Sequence, residues 1–329
     1  MVRLTDEQFA HIDAAEDNDR ILCAGGAGTG KTFLAAELAR RQAALGRLVT
    51  LCCSSPTLAA FLSARVGNDA SIEVIRETTP SQVAPSDYLV VDEGQDLLNF
   101  TALNALDARV KGGLKDGKWC VFYDGNAQSG LIGSYDPEAL ALLQSYGATT
   151  IRLKRNCRNT IPIVTQTRLM TGADLGTPMA GEGPSMRTVY YKDAEDQAKA
   201  LDTEIRRLRE EGVEDGEITI LTTCSPAQST AVRSGLAERY GMRLLTSAVT
   251  GAWPCAAITV SSVADFKGLE NTFVLVTDID DFAQSGRSRN LVYVAMSRAR
   301  VGLWLGIHES LKNPVKAIMA GNLSAVIAR

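Results

Sequence analysis

The chain has 329 residues, of which 45% are apolar and 22% charged, a length that suits two compact domains and a composition that excludes a disordered or low-complexity protein. Its 34 Lys and Arg against 38 Asp and Glu leave a formal net charge of −4, which excludes a generally basic nucleic-acid coat but is compatible with a local basic groove.

Short apolar runs alternate with helical stretches almost throughout, the pattern of parallel sheets with crossover helices. Ile21 to Ala24 reads as a buried strand entering a glycine loop, followed by a helix from about Lys31 to Leu45. Leu48 to Cys53 is a second strand, and Pro56 to Val66 a helix whose proline suits its first turn. Tyr88 to Val91 is a strand ending in acids, Trp119 to Tyr123 another strand, Asp136 to Tyr146 a helix and Thr149 to Leu153 a strand. A glycine- and proline-rich stretch, Thr171 to Pro184, reads as a surface loop. A second alternating series begins with a strand at Arg187 to Tyr191 and a helix at Ala194 to Glu211. Glu217 to Thr222, Ile258 to Ser262, Phe273 to Thr277 and Gly302 to Ile307 are further strands. The expected fold class is α/β, with a first domain over 1–150 and a second over 151–329.

No apolar run reaches the length of a membrane span, and the opening MVRLTDEQFAHID is acidic rather than signal-like, so no membrane is expected as a partner. Seven cysteines (23, 52, 53, 120, 157, 224 and 255) form no CxxC pair and fall mostly in apolar runs. That disfavours a disulfide framework or zinc ribbon, and a cytoplasmic location is expected.

Gly25-Gly26-Ala27-Gly28-Thr29-Gly30-Lys31-Thr32 matches G-x-x-x-x-G-K-[ST] in full, between a predicted strand and a predicted helix. Its glycines let backbone N–H groups wrap phosphates, and the helix N-terminus adds a favourable dipole. Lys31 is expected to neutralise the β- and γ-phosphates of ATP, and the Thr32 hydroxyl to ligate Mg²⁺. Asp92 and Glu93 follow an apolar strand, at the carboxyl edge where open α/β sheets bind ligands. There Asp92 suits the Mg²⁺ shell, and Glu93 suits the general base that activates water.

Asp92-Glu93-Gly94-Gln95-Asp96 resembles the DExQD box of the UvrD/Rep-like superfamily 1 helicases, and further motifs of that family occur in order. Leu4-Thr5-Asp6-Glu7-Gln8 resembles the Q motif, the stretch from Phe122 to Gln128 motif III, and Asn156-Cys157-Arg158-Asn159 motif IV. Phe266-Lys267-Gly268-Leu269-Glu270 resembles motif V, and Leu291 to Arg300 motif VI, so the resemblance runs from Leu4 to Arg300. It implies two RecA-like P-loop NTPase lobes and an ATPase that acts as a helicase-like motor on single-stranded DNA, or on RNA. By the same resemblance Gln8 reads adenine, Gln128 senses the γ-phosphate, Glu270 contacts the ribose, and Arg158 and Arg298 act as arginine fingers.

Departures from the family fall on the nucleic-acid side. Asp124 and Gln128 are four apart rather than three, Cys53-Ser54-Ser55-Pro56 lacks the usual aromatic, and Ala264 stands where a histidine is usual. Cys157 replaces a tyrosine that stacks on adenine. Only 25 residues separate Val66 from Asp92, so the accessory domains of full-sized members are expected to be absent. The alternative function is an ATP-gated regulatory module that binds a protein partner, such as a nuclease, without translocating. Arg206, Arg207 and Arg209 are expected to pair with neighbouring acids on a solvent face rather than bind nucleic acid. Trp253 either stacks on a base or packs a loop.

Overall fold

The computed structural model describes residues 12–13, 17–76, 84–126, 135–282 and 286–327. Two compact units divide the chain, residues 1–155 and 156–329.

The first unit is a six-stranded parallel sheet in the order β3-β2-β4-β5-β1-β6. Its strands are β1 (Arg20–Gly25), β2 (Val49–Cys53), β3 (Ile72–Arg76), β4 (Tyr88–Val91), β5 (Trp119–Tyr123) and β6 (Thr149–Leu153). Both faces of the sheet are covered, so the central strands are continuous apolar runs: all four residues of β4 and all five of β5 are buried. Side-chain alternation divides β1 between two cores. Ile21 and Cys23 pack with Leu34 and Leu38 of α1 (Lys31–Ala44) and Leu58 and Leu62 of α2 (Pro56–Val66). Leu22 faces the other way, toward Leu103 and Leu106 of α3 (Phe100–Asp107) and Leu143 of α4 (Pro137–Ser145). Each such fully buried aliphatic side chain contributes roughly 1.5–3 kcal/mol, so the two cores set the sheet on which the polar loops stand.

Local chemistry starts the helices. The Ser55 hydroxyl accepts from the Leu58 N–H at 3.3 Å ahead of Pro56, Asn99 caps α3 through the Ala102 N–H at 2.9 Å, and Asp136 caps α4 through the Glu138 N–H at 2.9 Å.

The second unit repeats the architecture in the order β11-β12-β10-β13-β14-β9, again parallel throughout. A ribbon of β7 (Arg155–Asn156) and β8 (Thr177–Pro178) precedes β9 (Arg187–Tyr191). The sheet is completed by β10 (Ile218–Thr222), β11 (Arg243–Leu244), β12 (Thr259–Ser262), β13 (Asn271–Ile279) and β14 (Ala299–His308). Its longer helices are α5 (Ile161–Thr171), α6 (Ala194–Glu210), α7 (Gly286–Ser297) and α8 (Lys312–Ile327). Leu201, Ile205 and Leu208 of α6 pack on Ile218, Ile220, Val260 and Leu275. Between Val66 and Asp92 the described residues hold only the edge strand β3 as regular structure beyond β4 itself.

The arginine-rich face of α6 is salt-bridged: Arg206 meets Asp202 at 2.8 Å, Arg207 meets Glu204 at 2.7 Å, and Arg209 meets Asp215 at 2.7 Å. Trp253 packs edge-on against Phe266, with ring centroids 5.6 Å apart. Cys23, Cys52, Cys53 and Cys120 are buried thiols, while Cys157, Cys224 and Cys255 are half-buried, and none of the seven is joined in a disulfide. Burial pushes the Cys23 thiol up to about 12, despite the opposing charge of Lys31, and also raises Cys53 and Cys120 well above the usual thiol range. Among the described residues, no helix is long and apolar enough to cross a membrane.

Candidate nucleotide site

The glycine loop leaves β1 at Gly25 and enters α1 at Lys31. Gly28 and Gly30 take φ values of 84° and 90°, a region that side chains with a Cβ rarely adopt. A Cβ on Gly25 would stand 2.6 Å from Thr29 Oγ1 and 2.9 Å from Leu153 Cβ, so the loop closes only with glycine there. The Thr29 hydroxyl ties the turn by donating to the Gly26 carbonyl at 2.9 Å. Ala27, Thr29, Lys31 and Thr32 are buried. The first turn of α1 carries no acid, and Gly30 supplies no side-chain cap. Its leading N–H groups are therefore left to whatever anion the loop receives.

Lys31 is folded onto the loop. Its Nζ donates to the carbonyls of Gly25 at 2.7 Å and Gly26 at 2.9 Å, and lies 3.8 Å from Asp124 Oδ2 at the end of β5. Phosphate oxygens entering the loop would compete for these donors with a full charge rather than a dipole.

Asp92 and Glu93 emerge from β4 beside the loop. The Asp92 N–H donates to the Cys52 carbonyl at 2.9 Å, which continues the β4–β2 pairing through the acid. The Asp92 carboxylate is wholly buried. Its Oδ1 accepts from the Glu93 N–H at 2.9 Å beside the Thr32 side chain, yet Oδ2 has no hydrogen-bond partner. Burial first, and the neighbouring Glu93 charge second, push Asp92 up to about 7, against the pull of Thr32 and Lys31. A buried anionic oxygen without a partner is expensive, and a hard cation with oxygen ligands meets that need. The carboxylate of Asp92 and the hydroxyl of Thr32 are hard oxygen donors of the kind that would suit Mg²⁺. Among the described residues no group of three or more His, Cys, Asp or Glu is placed to hold a metal by itself.

Glu93 adopts φ 53°, in the left-handed region, and accepts a hydrogen bond from Gln95 Nε2. Gln95 and the aspartates at 96 and 124 are buried partners that sequence reading quoted as motif letters without assigning them work.

In the second unit Arg158, Glu270 and Arg298 lie near the amino ends of β13 and β14. Arg158 Nε donates to Glu270 Oε2, and its Nη1 to the Ser297 carbonyl at 3.3 Å. Asn156 Oδ1 accepts the N–H groups of Arg158 at 3.1 Å and Asn159 at 2.9 Å, a turn that aims Arg158. Asn159 Nδ2 donates to the Ser297 carbonyl at 3.0 Å and to that of Ala299, fastening this segment on both sides of Arg298. Arg298 is buried, with Nε donating to the Val294 carbonyl at 3.2 Å and Nη1 to that of Leu269 at 3.4 Å. Arg300, exposed, is 3.8 Å from Glu270 Oε1. Thus the first unit gathers Gly25 to Thr32 with Asp92 and Glu93, and the second gathers Arg158, Glu270 and Arg298. Gln8 and Gln128 lie outside the described residues.

Comparison with known proteins matches two stretches of the chain. Residues 3–172 match the family model described as AAA domain, and residues 257–305 match the UvrD-like helicase C-terminal domain. No curated protein matches the chain. Among solved structures, the C-terminal domain of a possible DNA helicase from Lactobacillus plantarum WCFS1 is similar, at 19% identity over 46% of this chain and 87% of that one, with a TM-score of 0.37. The two matched spans together contain every candidate residue named above.

Proposed function

Because the chain belongs to the AAA domain family and carries a UvrD-like helicase C-terminal segment, we propose that it is an ATP-hydrolysing, helicase-like motor whose turnover is coupled to single-stranded DNA. The observation that carries the ATPase half is the buried Asp92 carboxylate, with one oxygen unpartnered beside Thr32 and the glycine loop.

The loop N–H groups and Lys31 bind the phosphates, with Lys31 exchanging the Gly25 and Gly26 carbonyls for phosphate oxygen. Thr32 and Asp92 hold Mg²⁺, which when bound neutralises phosphate charge. Glu93 takes the proton of the attacking water. Arg158 and Arg298 meet the charge that develops on the transferred phosphoryl group, and Glu270 meets the ribose. Gln8 and Gln128 are assigned the adenine and the γ-phosphate. The two units act as the two lobes of the motor, so that ATP binding and hydrolysis change how they grip a strand.

The test is binding of a labelled single-stranded DNA oligonucleotide at low salt, with a non-hydrolysable ATP analogue and with ADP, and with an RNA strand for comparison. Low salt is needed because phosphate contacts weaken steeply as salt rises. Coupling requires different strand affinities in the two nucleotide states. Equal affinities, or no strand binding in either state, would refute the motor. Turnover that responds instead to a protein such as a nuclease would replace the motor with a regulatory switch.

A further inference from the structure

Immediately after the acid pair, Gly94–Asp96 forms one tight turn of 3-10 helix that touches three other segments of the first unit. Gly94 lies hard against β5: a Cβ there would stand 2.5 Å from Val121 Cγ1 and 3.0 Å from the Phe122 carbonyl oxygen. This close approach places Gln95, itself buried, between two loops. Its Nε2 donates to the Glu93 carboxylate, and its Oε1 accepts the Asp124 N–H at 3.0 Å. Asp124 also receives the Asn126 N–H on Oδ1 at 2.8 Å and faces Lys31 with Oδ2. One residue on, Asp96 Oδ2 accepts the Ser54 hydroxyl at 3.1 Å beyond the end of β2.

We propose that Gln95 is the positioning residue for Glu93, an assignment that rests on the reading of Glu93 as the base. The amide has only one useful orientation. Asp124 presents a backbone N–H, so the oxygen of Gln95 must face it, and the NH₂ group must then face Glu93. Glu93 sits on left-handed backbone, which a residue with a Cβ holds only when its surroundings dictate it. Its side chain has three torsions, and a charge-assisted hydrogen bond from a buried, doubly anchored amide fixes the carboxylate in one place. Misplacing a reacting group by about 1 Å reduces rate on the order of 10²-fold. Gln95 therefore acts on the chemical step and not on nucleotide capture, which the glycine loop and Lys31 perform.

Two substitutions separate its two ends. Gln95→Met keeps the volume and loses both hydrogen bonds. Gln95→Glu keeps an acceptor for Asp124 but sets oxygen against oxygen at Glu93. Both should lower kcat about 10- to 100-fold, while the Kd for a fluorescent ATP analogue stays within about threefold, a split that folding damage would not produce. Combined with Glu93→Gln, neither should reduce turnover further, because a base that is gone needs no positioning. Turnover lost in Glu93→Gln but kept in Gln95→Met would overturn the Gln95 assignment alone, as would losses that simply multiply in the double variant. Turnover kept in Glu93→Gln would instead overturn the reading of the base, and Gln95 with it.

Discussion

Replacing Asp92 by asparagine should stabilise the nucleotide-free protein above neutral pH and remove its response to Mg²⁺-nucleotide. The folded environment raises this carboxyl from 3.8 to about 7, chiefly by burial and then by Glu93. Between those values the folded chain holds a proton that the unfolded chain has released, so stability falls as pH rises through that window. A shift of about three units at 1.36 kcal/mol each sets an upper bound of roughly 4 kcal/mol, and relaxation around the charge reduces what is realised. A gain of about 2 kcal/mol corresponds to a rise in Tm of roughly 4–8 °C for a unit of this size. Asparagine retains the oxygen that accepts the Glu93 N–H and carries no charge. Thermal unfolding should therefore show the rise at pH 8, and little difference near pH 4, where the native carboxyl is already neutral. Adding Mg²⁺ and an ATP analogue should raise the Tm of the native protein much more than that of the variant. Equal melting at pH 8, or a gain that persists unchanged at pH 4, would refute the buried, uncompensated charge on which the metal assignment rests.

Lys31→Ala removes the cation that bridges the loop carbonyls, and binding of a fluorescent ATP analogue should be lost; retained affinity would contradict the phosphate site. Arg158→Ala should slow hydrolysis by about 10²-fold or more while nucleotide affinity changes little, in line with arginine fingers, and steady-state kinetics would show any failure of that split. Gly94→Ala should destabilise by roughly 1–3 kcal/mol, as overpacking does, because its Cβ would meet Val121 and Phe122; an unchanged denaturation midpoint would show that β5 yields. Thiol titration of the folded protein should register at most the three half-buried cysteines, 157, 224 and 255, with all seven reacting after unfolding.

Most strands were legible because parallel strands covered on both faces become apolar runs: Tyr88 to Val91 and Trp119 to Tyr123 read as strands with the bounds they have in the fold. Edge strand β3 was not, since Ile72-Glu73-Val74-Ile75-Arg76 is short and mixes charge with apolar residues. Helix α8 was obscured by Pro314 in its first turn and Gly321 in its interior. Helix α3 begins close behind the acidic box and is signalled mainly by its Asn99 cap. At the site, the glycine loop and the acid pair were readable because their chemistry is contiguous in sequence. The bonds between motifs were not: Gln95 and Asp124 are 29 residues apart, Ser54 and Asp96 42, and Arg158 and Glu270 112. Only the fold brings those pairs together.

The most direct test of the motor is ATP turnover by the purified protein at low salt, titrated with single-stranded DNA, with Glu93→Gln as the blank. Hydrolysis that rises severalfold and saturates with the strand, and falls to a small residual rate in the Glu93→Gln blank, is the expected result. Turnover that ignores the strand at every concentration, or that survives undiminished in the blank, would contradict it.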